Sequence, residues 1–189
     1  MYAQVIGGVV TQYPFSLAQL TTIYPQVSFP TNPSDAFLVD YDVYPVAPVT
    51  APPIDPITQS VAEVLPTFVA GVWTQTWQVT TLDLTTQKVN SVTDINTGTH
   101  LRLLEFVRTR SYLDVLSAVS MVGDTNPQFD SDGIYVKDSR STTWTQVIDI
   151  TNEIDADTRP PCSFASIESL LPALVWPTPA PVIDPHIHI

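Results

Sequence analysis

The spacing of apolar positions changes near the middle of this chain, and the change predicts two kinds of module. Val5-Ile6 and Val9-Val10 flank Gly7-Gly8. Paired glycines supply the positive φ angles of a two-residue turn, so residues 2–11 read as a β-hairpin. Ser16 stands where it can cap a short helix carrying Leu17, Leu20 and Ile23, which ends before Pro25. Ser34 caps another through Phe37 and Leu38, with Asp35 suited to its positive N-terminus. Seven prolines fall between Pro30 and Pro56, and residues 43–56 are expected to run extended, close to polyproline II. Strands return at residues 60–65 and 66–79, the latter broken by a turn at Ala70-Gly71. Trp73, Gln75, Trp77 and Val79 alternate, which places both tryptophans on one sheet face.

Beyond residue 80 the pattern is different. Residues 80–98 are rich in Thr, Asn and Ser and read as a polar connector. Leu101, Leu104, Val107, Tyr112, Val115, Leu116 and Val119 then recur at three- and four-residue steps, the signature of a helix. Residues 124–133 read as a turn-rich loop. Residues 142–153 fit two states: Trp144, Val147, Ile148 and Ile150 suit a helix, while the Thr and Ile content suits a strand. Ser163 or Ser166 caps a last short helix running through Leu171 to Pro172. The expected fold is α+β. A small β-rich module with short helices and extended Pro-rich segments covers residues 1–80, a connector covers 81–98, a second small α+β module covers 99–176, and an extended tail covers 177–189.

Charge narrows the function classes. Charged residues make up 14% of the chain and the net charge is −12. Residues 1–87 hold six acidic residues and no Lys or Arg; the rest hold seven basic against thirteen acidic. Both halves repel phosphates, so neither nucleic acid nor an anionic membrane is expected as a partner. No apolar run is long enough to span a bilayer. Met1-Tyr2-Ala3-Gln4 lacks a basic stretch followed by an apolar core, so no signal peptide is expected. Cys162 is the single cysteine. It reads either as a semi-buried thiol or as one half of an intermolecular disulfide.

Catalytic patterns are missing. The six glycines form no phosphate loop, and no GxSxG turn accompanies the three histidines. The chain is therefore not expected to be an enzyme, and no cofactor is expected. Asp130-Ser131-Asp132-Gly133 starts like a calcium loop but lacks the preceding acid and the closing Glu, since Ser139 stands there, and reads as a plain turn. His186 and His188 alternate around Ile187. They read as a polar terminal strand or, in a trimer, as three imidazole pairs that hold a metal ion on the axis. Trp73 and Trp77, with Tyr2, Tyr13 and Tyr44, read as a module core or as a stacking platform for sugar rings.

Taken together, Tyr13-Pro14-Phe15-Ser16-Leu17, Val27-Ser28-Phe29-Pro30, Val43-Tyr44-Pro45-Val46 and Gly71-Val72-Trp73-Thr74-Gln75-Thr76-Trp77 resemble the tail-fibre and tail-fibre-assembly proteins of tailed bacteriophages, common in phages of cyanobacteria and other marine hosts. The resemblance covers residues 1–80 and continues more weakly through residues 101–110 and Leu174-Val175-Trp176-Pro177. It implies a structural virion protein, a tail fibre or baseplate-attached fibre component assembled in the host cytoplasm. The other roles that it leaves open are a non-virion fibre-assembly chaperone and a capsid cement or decoration protein. Other tail or baseplate proteins are the implied partners, with a homo-oligomer, a trimer first, and a host surface glycan besides. The expected contact residues are Tyr44, Pro45, Trp73, Trp77, Trp176 and Pro177. The pattern carries no catalytic residues. The second half departs from the arginine- and alanine-rich helical ending of the family.

Overall fold

Gly7 and Gly8 adopt φ angles of 60° and 82°, and the chain reverses there between β1 (Tyr2–Ile6) and β2 (Val9–Phe15). Glycine enters this region without steric cost. A computed structural model describes residues 1–177 and Pro179. It divides into two units, Met1–Thr81 and Leu82–Ile189, and the fold class is α+β.

In the first unit, α1 (Leu17–Ile23) starts on a capping box made by Ser16 and Gln19. The Ser34 hydroxyl accepts the Phe37 N–H at the start of α2 (Asp35–Val39). Strands β3 (Val43–Ala47), β4 (Gln59–Val69) and β5 (Val72–Thr81) complete a five-stranded sheet in the order β2-β1-β3-β5-β4. The pairing is antiparallel except between β3 and β5. Residues 60–65 and 66–69, expected in separate strands, form the continuous β4. An extra residue between Val64 and Thr67 makes a bulge, which tolerates the missing N–H of Pro66. Two small cores flank β1. Tyr2 faces Phe15, Leu20, Leu38 and Val43, whereas Ala3 and Val5 face Val46 and Trp73. The Tyr13 hydroxyl on edge strand β2 donates to Glu63 on edge strand β4, so the sheet curls towards closure.

The second unit is built on two long helices, α3 (Leu84–Arg108) and α5 (Pro127–Asp155), with short α4 (Val115–Val119) and α6 (Phe164–Ile167). Here the sequence expectation needs correcting. Residues 84–98, expected as a connector, form more than half of α3. Residues 127–133, expected as a loop, open α5, and residues 142–153 are helical throughout. The β component expected in this module is absent among the described residues. The single helix expected through Val119 breaks after Arg108, and α4 starts anew on an Asp114 cap.

The reason lies in packing. Ser91, Ile95, Thr99, Leu103 and Val107 recur every fourth residue on α3 and are all buried. Ile95 meets Val147, Ile150 and Ile154 of α5, and Leu103 and Val107 meet Val136, low numbers against high, so the two helices run antiparallel. Small polar residues in the stripe hid the period from a hydropathy reading but allow close approach. Asp83 accepts the Thr86 N–H at the helix start. Asn126 caps α5, with Pro127 at its first position. A Cβ on Gly98 would lie 2.2 Å from the Phe164 ring, and one on Gly133 would lie 2.7 Å from the Val122 backbone nitrogen. Both glycines are thus fixed by neighbours that occupy the space of a side chain.

Candidate functional site

Strands β4 and β5 are 11 and 10 residues long, twice the 5 of β1 and β3. Strand β3 reaches β5 only through Val46–Trp73 and Ala47–Thr74. Much of the β4–β5 ribbon therefore has no third strand beside it. Pro66 is the one buried residue of β4. Leu65, Phe68, Val69 and Val72 are 55%, 61%, 55% and 49% exposed. The tip reverses at Ala70-Gly71, with φ of 49° and 88°, a turn suited to the twist of paired strands. A ribbon rich in β-branched and aromatic residues thus holds its apolar side chains in water.

One stretch of the ribbon is covered. Gln75 Oε1 accepts the Val49 N–H at 3.0 Å, and Trp77 Nε1 donates to the Val49 carbonyl at 2.8 Å. These bonds seat the Pro-rich segment expected to run extended. Asp55 ends it by accepting the Ile57 N–H at 3.0 Å and the Thr58 hydroxyl at 2.8 Å, an Asx turn. Trp77 is therefore an anchor with its polar edge satisfied. Trp73 takes another part: it is half-buried on Ala3, Val5 and Val46, and its ring lies 5.2 Å from that of Phe68. Tyr44 joins Trp73, Phe68, Val5 and Gly8 around a shallow groove of about 260 Å³. Pro45 lies opposite Tyr2 in the sheet. The structure thus brings together Tyr44 and Trp73, adds Phe68, and sets Trp77 and Pro45 apart from that groove. Burial, and then the bond to Glu63, pushes the Tyr13 hydroxyl up to about 12.

In the second unit, Trp176 closes an aromatic nest. It stacks on Phe106 at 4.3 Å, lies near Tyr112 and Tyr135, and covers the Arg110 guanidinium at 4.4 Å. Its Nε1 donates to Thr109 Oγ1 at 2.8 Å, and the Val175 N–H donates to the Tyr135 hydroxyl at 2.8 Å. Beneath it Arg110 pairs with Asp132, their side chains 3% and 1% exposed. Gln128 Nε2 and the Tyr112 hydroxyl also donate to Asp132, at 3.0 Å and 3.2 Å. Burial first, then the Asp132 charge, raises the Tyr112 hydroxyl to about 12. Sequence reasoning missed this cluster. Asp132 read as part of a turn, and nothing in its local spacing points to Arg110 or Tyr112.

Other bases also hold the chain's own loops. Arg102 Nη2 donates to the Pro172 carbonyl at 2.7 Å, and Lys88 pairs with Asp157 at 2.7 Å. Cys162 is half-buried against the core around Ile95 and Val147, with its N–H donating to Ser91 Oγ at 2.9 Å. Pro177 lines a groove on α5. His186 and His188 lie outside the described residues. Among the described residues no group of three or more His, Cys, Asp or Glu is placed to hold a metal, and no helix is long and apolar enough to cross a membrane. Compared with known proteins, the chain matches no family model, no curated protein and no solved structure.

Proposed function

We propose that this protein is a structural subunit of a tailed-phage tail, a fibre or baseplate-attached component that works by contact between subunits. The observation that carries the reading is the β4–β5 ribbon, which leaves Leu65, Phe68, Val69 and Val72 in solvent. Several large apolar side chains left exposed on one hairpin suit an interaction surface. The first unit has no Lys or Arg to desolvate when such a surface is covered. The aromatic and proline blocks that resemble tail-fibre proteins lie in this same unit. The role proposed is assembly, not catalysis, with other tail proteins as partners.

A transient assembly chaperone would use the same ribbon and then leave. Mass spectrometry of purified particles separates the two. The subunit reading expects this chain in the particle at stoichiometry with tail proteins. Its absence from particles whose tails are complete overturns that reading, and recovery at head-protein stoichiometry points to a decoration role instead.

A further inference from the structure

We propose that the aromatic nest beside α3 and α5 is a peptide-recognition site, filled in cis by residues 172–177 and able to take the same segment from a second copy of this chain. The site lies within the second unit, and the inference does not rest on the proposed phage role.

The segment is held as a bound peptide is held. Residues 172–176 form no helix or strand, so no backbone ladder ties them to the helices. Side chains reach out to the segment instead. Arg102 Nη2 donates to the Pro172 carbonyl at 2.7 Å, the Tyr135 hydroxyl accepts the Val175 N–H at 2.8 Å, and Thr109 Oγ1 accepts the Trp176 Nε1–H at 2.8 Å. Leu174 and Trp176 pack on the core around Leu103, Val107 and Val136, while Val175 between them is 69% exposed. That is the alternation of an extended chain with one side laid in a groove. Proline-rich segments dock in aromatic-lined grooves in this way, and the prolines at 172 and 177 limit the freedom lost on docking.

The present contents of the nest name the occupant. It holds an indole whose ring centroid lies 4.3 Å from that of Phe106 and 4.4 Å from the Arg110 guanidinium. Such Trp and Arg contacts carry much of the energy of protein interfaces. Residues 172–177 bear no charge, and Arg110 is already neutralised by Asp132, so the nest asks no countercharge of its occupant. A second copy carries every recognised group in the right order. None of these contacts requires the segment to be joined to the helices that it touches. Leu171 is buried in the core around Ile95, and from there the chain reaches about 17 Å to Trp176 when extended. Exchange therefore needs two helical units side by side.

Complementary full-length variants test it. Trp176→Ala leaves the nest unfilled, and Phe106→Ala removes the ring on which Trp176 stacks and so frees the segment. Each variant alone should sediment as a monomer with helical circular dichroism retained, and the mixture should form a one-to-one heterodimer. If Phe106→Ala loses its helical signal, a fluorescein-labelled peptide of residues 172–177 takes its place as donor. The peptide should bind Trp176→Ala roughly tenfold more tightly than the wild-type chain, whose own segment competes at millimolar effective concentration. A mixture that stays monomeric overturns the proposal. So does association of either variant alone to the same extent, or a peptide that binds the variant and the wild-type chain equally.

Discussion

The β4–β5 ribbon and the α3–α5 pair treat apolar side chains in opposite ways. On α3 every fourth residue from Ser91 to Val107 is buried, and a matching stripe on α5 meets it. On β4 Pro66 alone is buried, while Leu65, Phe68 and Val69 stand in water. The helical pair satisfies itself; the ribbon is complete as backbone pairing and incomplete as a core. Charge is divided along the same line. Several bases of the second unit clamp its own loops, as Arg102 does with Pro172 and Lys88 with Asp157. The first unit has no Lys or Arg at all. Edge strand β4 carries Pro66 and a bulge, two protections against backbone pairing with other chains, so what the ribbon offers a partner is its exposed side chains.

The largest effect that would sharpen this contrast is at the buried ion pair. Asp132→Ala removes the buried carboxylate that Arg110, Gln128 and Tyr112 share, and removing one member of a buried ion pair costs about 3–5 kcal/mol. Urea unfolding followed by helical circular dichroism should show this loss in the second unit. An equally stable variant would show the network to be dispensable. Gly133→Ala comes next. Its new Cβ meets the Val122 backbone at 2.7 Å, which a side-chain rotation cannot relieve, and overpacking of this kind costs about 1–3 kcal/mol.

Thr143→Val should act in the other direction. The Thr143 hydroxyl is buried without a hydrogen-bond partner. Replacing it with a methyl of similar shape should stabilise the helix pair by about 1 kcal/mol, read as a higher midpoint in the same urea titration. Alkaline titration probes the same cluster. The Tyr112 hydroxyl moves from 10.0 to about 12 on folding. Between those values the unfolded chain has released a proton that the folded chain keeps, so stability falls as pH rises from 10 towards 12. Tyr112→Phe should flatten part of that slope, and Tyr13 and Tyr2, shifted the same way, should still contribute to it. An unchanged slope would remove Tyr112 from the account.

The smallest stability effect belongs to the ribbon, and there the comparison is most exposed to failure. Leu65→Thr with Val69→Thr changes side chains that are already mostly in solvent, and surface changes of this kind usually stay within about 0.5 kcal/mol. The folded chain should keep its midpoint, while particles complemented with it should carry less of this protein by quantitative mass spectrometry. Normal incorporation would mean that the ribbon is not the contact surface.

The elements legible in the sequence are those whose cause is local. Gly7-Gly8 dictates a turn, Ser16 and Ser34 cap α1 and α2, and the alternation from Trp73 to Trp77 marks β5. Each depends on neighbours within a few positions. The first half of α3 was not legible, because Thr, Asn and Ser are weak helix formers in isolation. Residues 84–98 become helical because Ile95 packs on α5 and Ser91 is held by the Cys162 backbone. The candidate contact surface was legible in part. Tyr44 and Trp73 meet as neighbours on one groove, whereas Phe68 joins them only because Phe68 pairs with Trp73 across the hairpin.

By itself the sequence determined the turns, the caps, the alternating strand faces and the one-sided placement of charge, since these follow from backbone angles and from composition. Tertiary structure alone decided that a polar stretch becomes a long helix, that Asp132 lies buried against Arg110, and that the ribbon projects uncovered. Each of those depends on residues far apart in the chain. The desolvation and packing energies that decide them exist only once two surfaces meet.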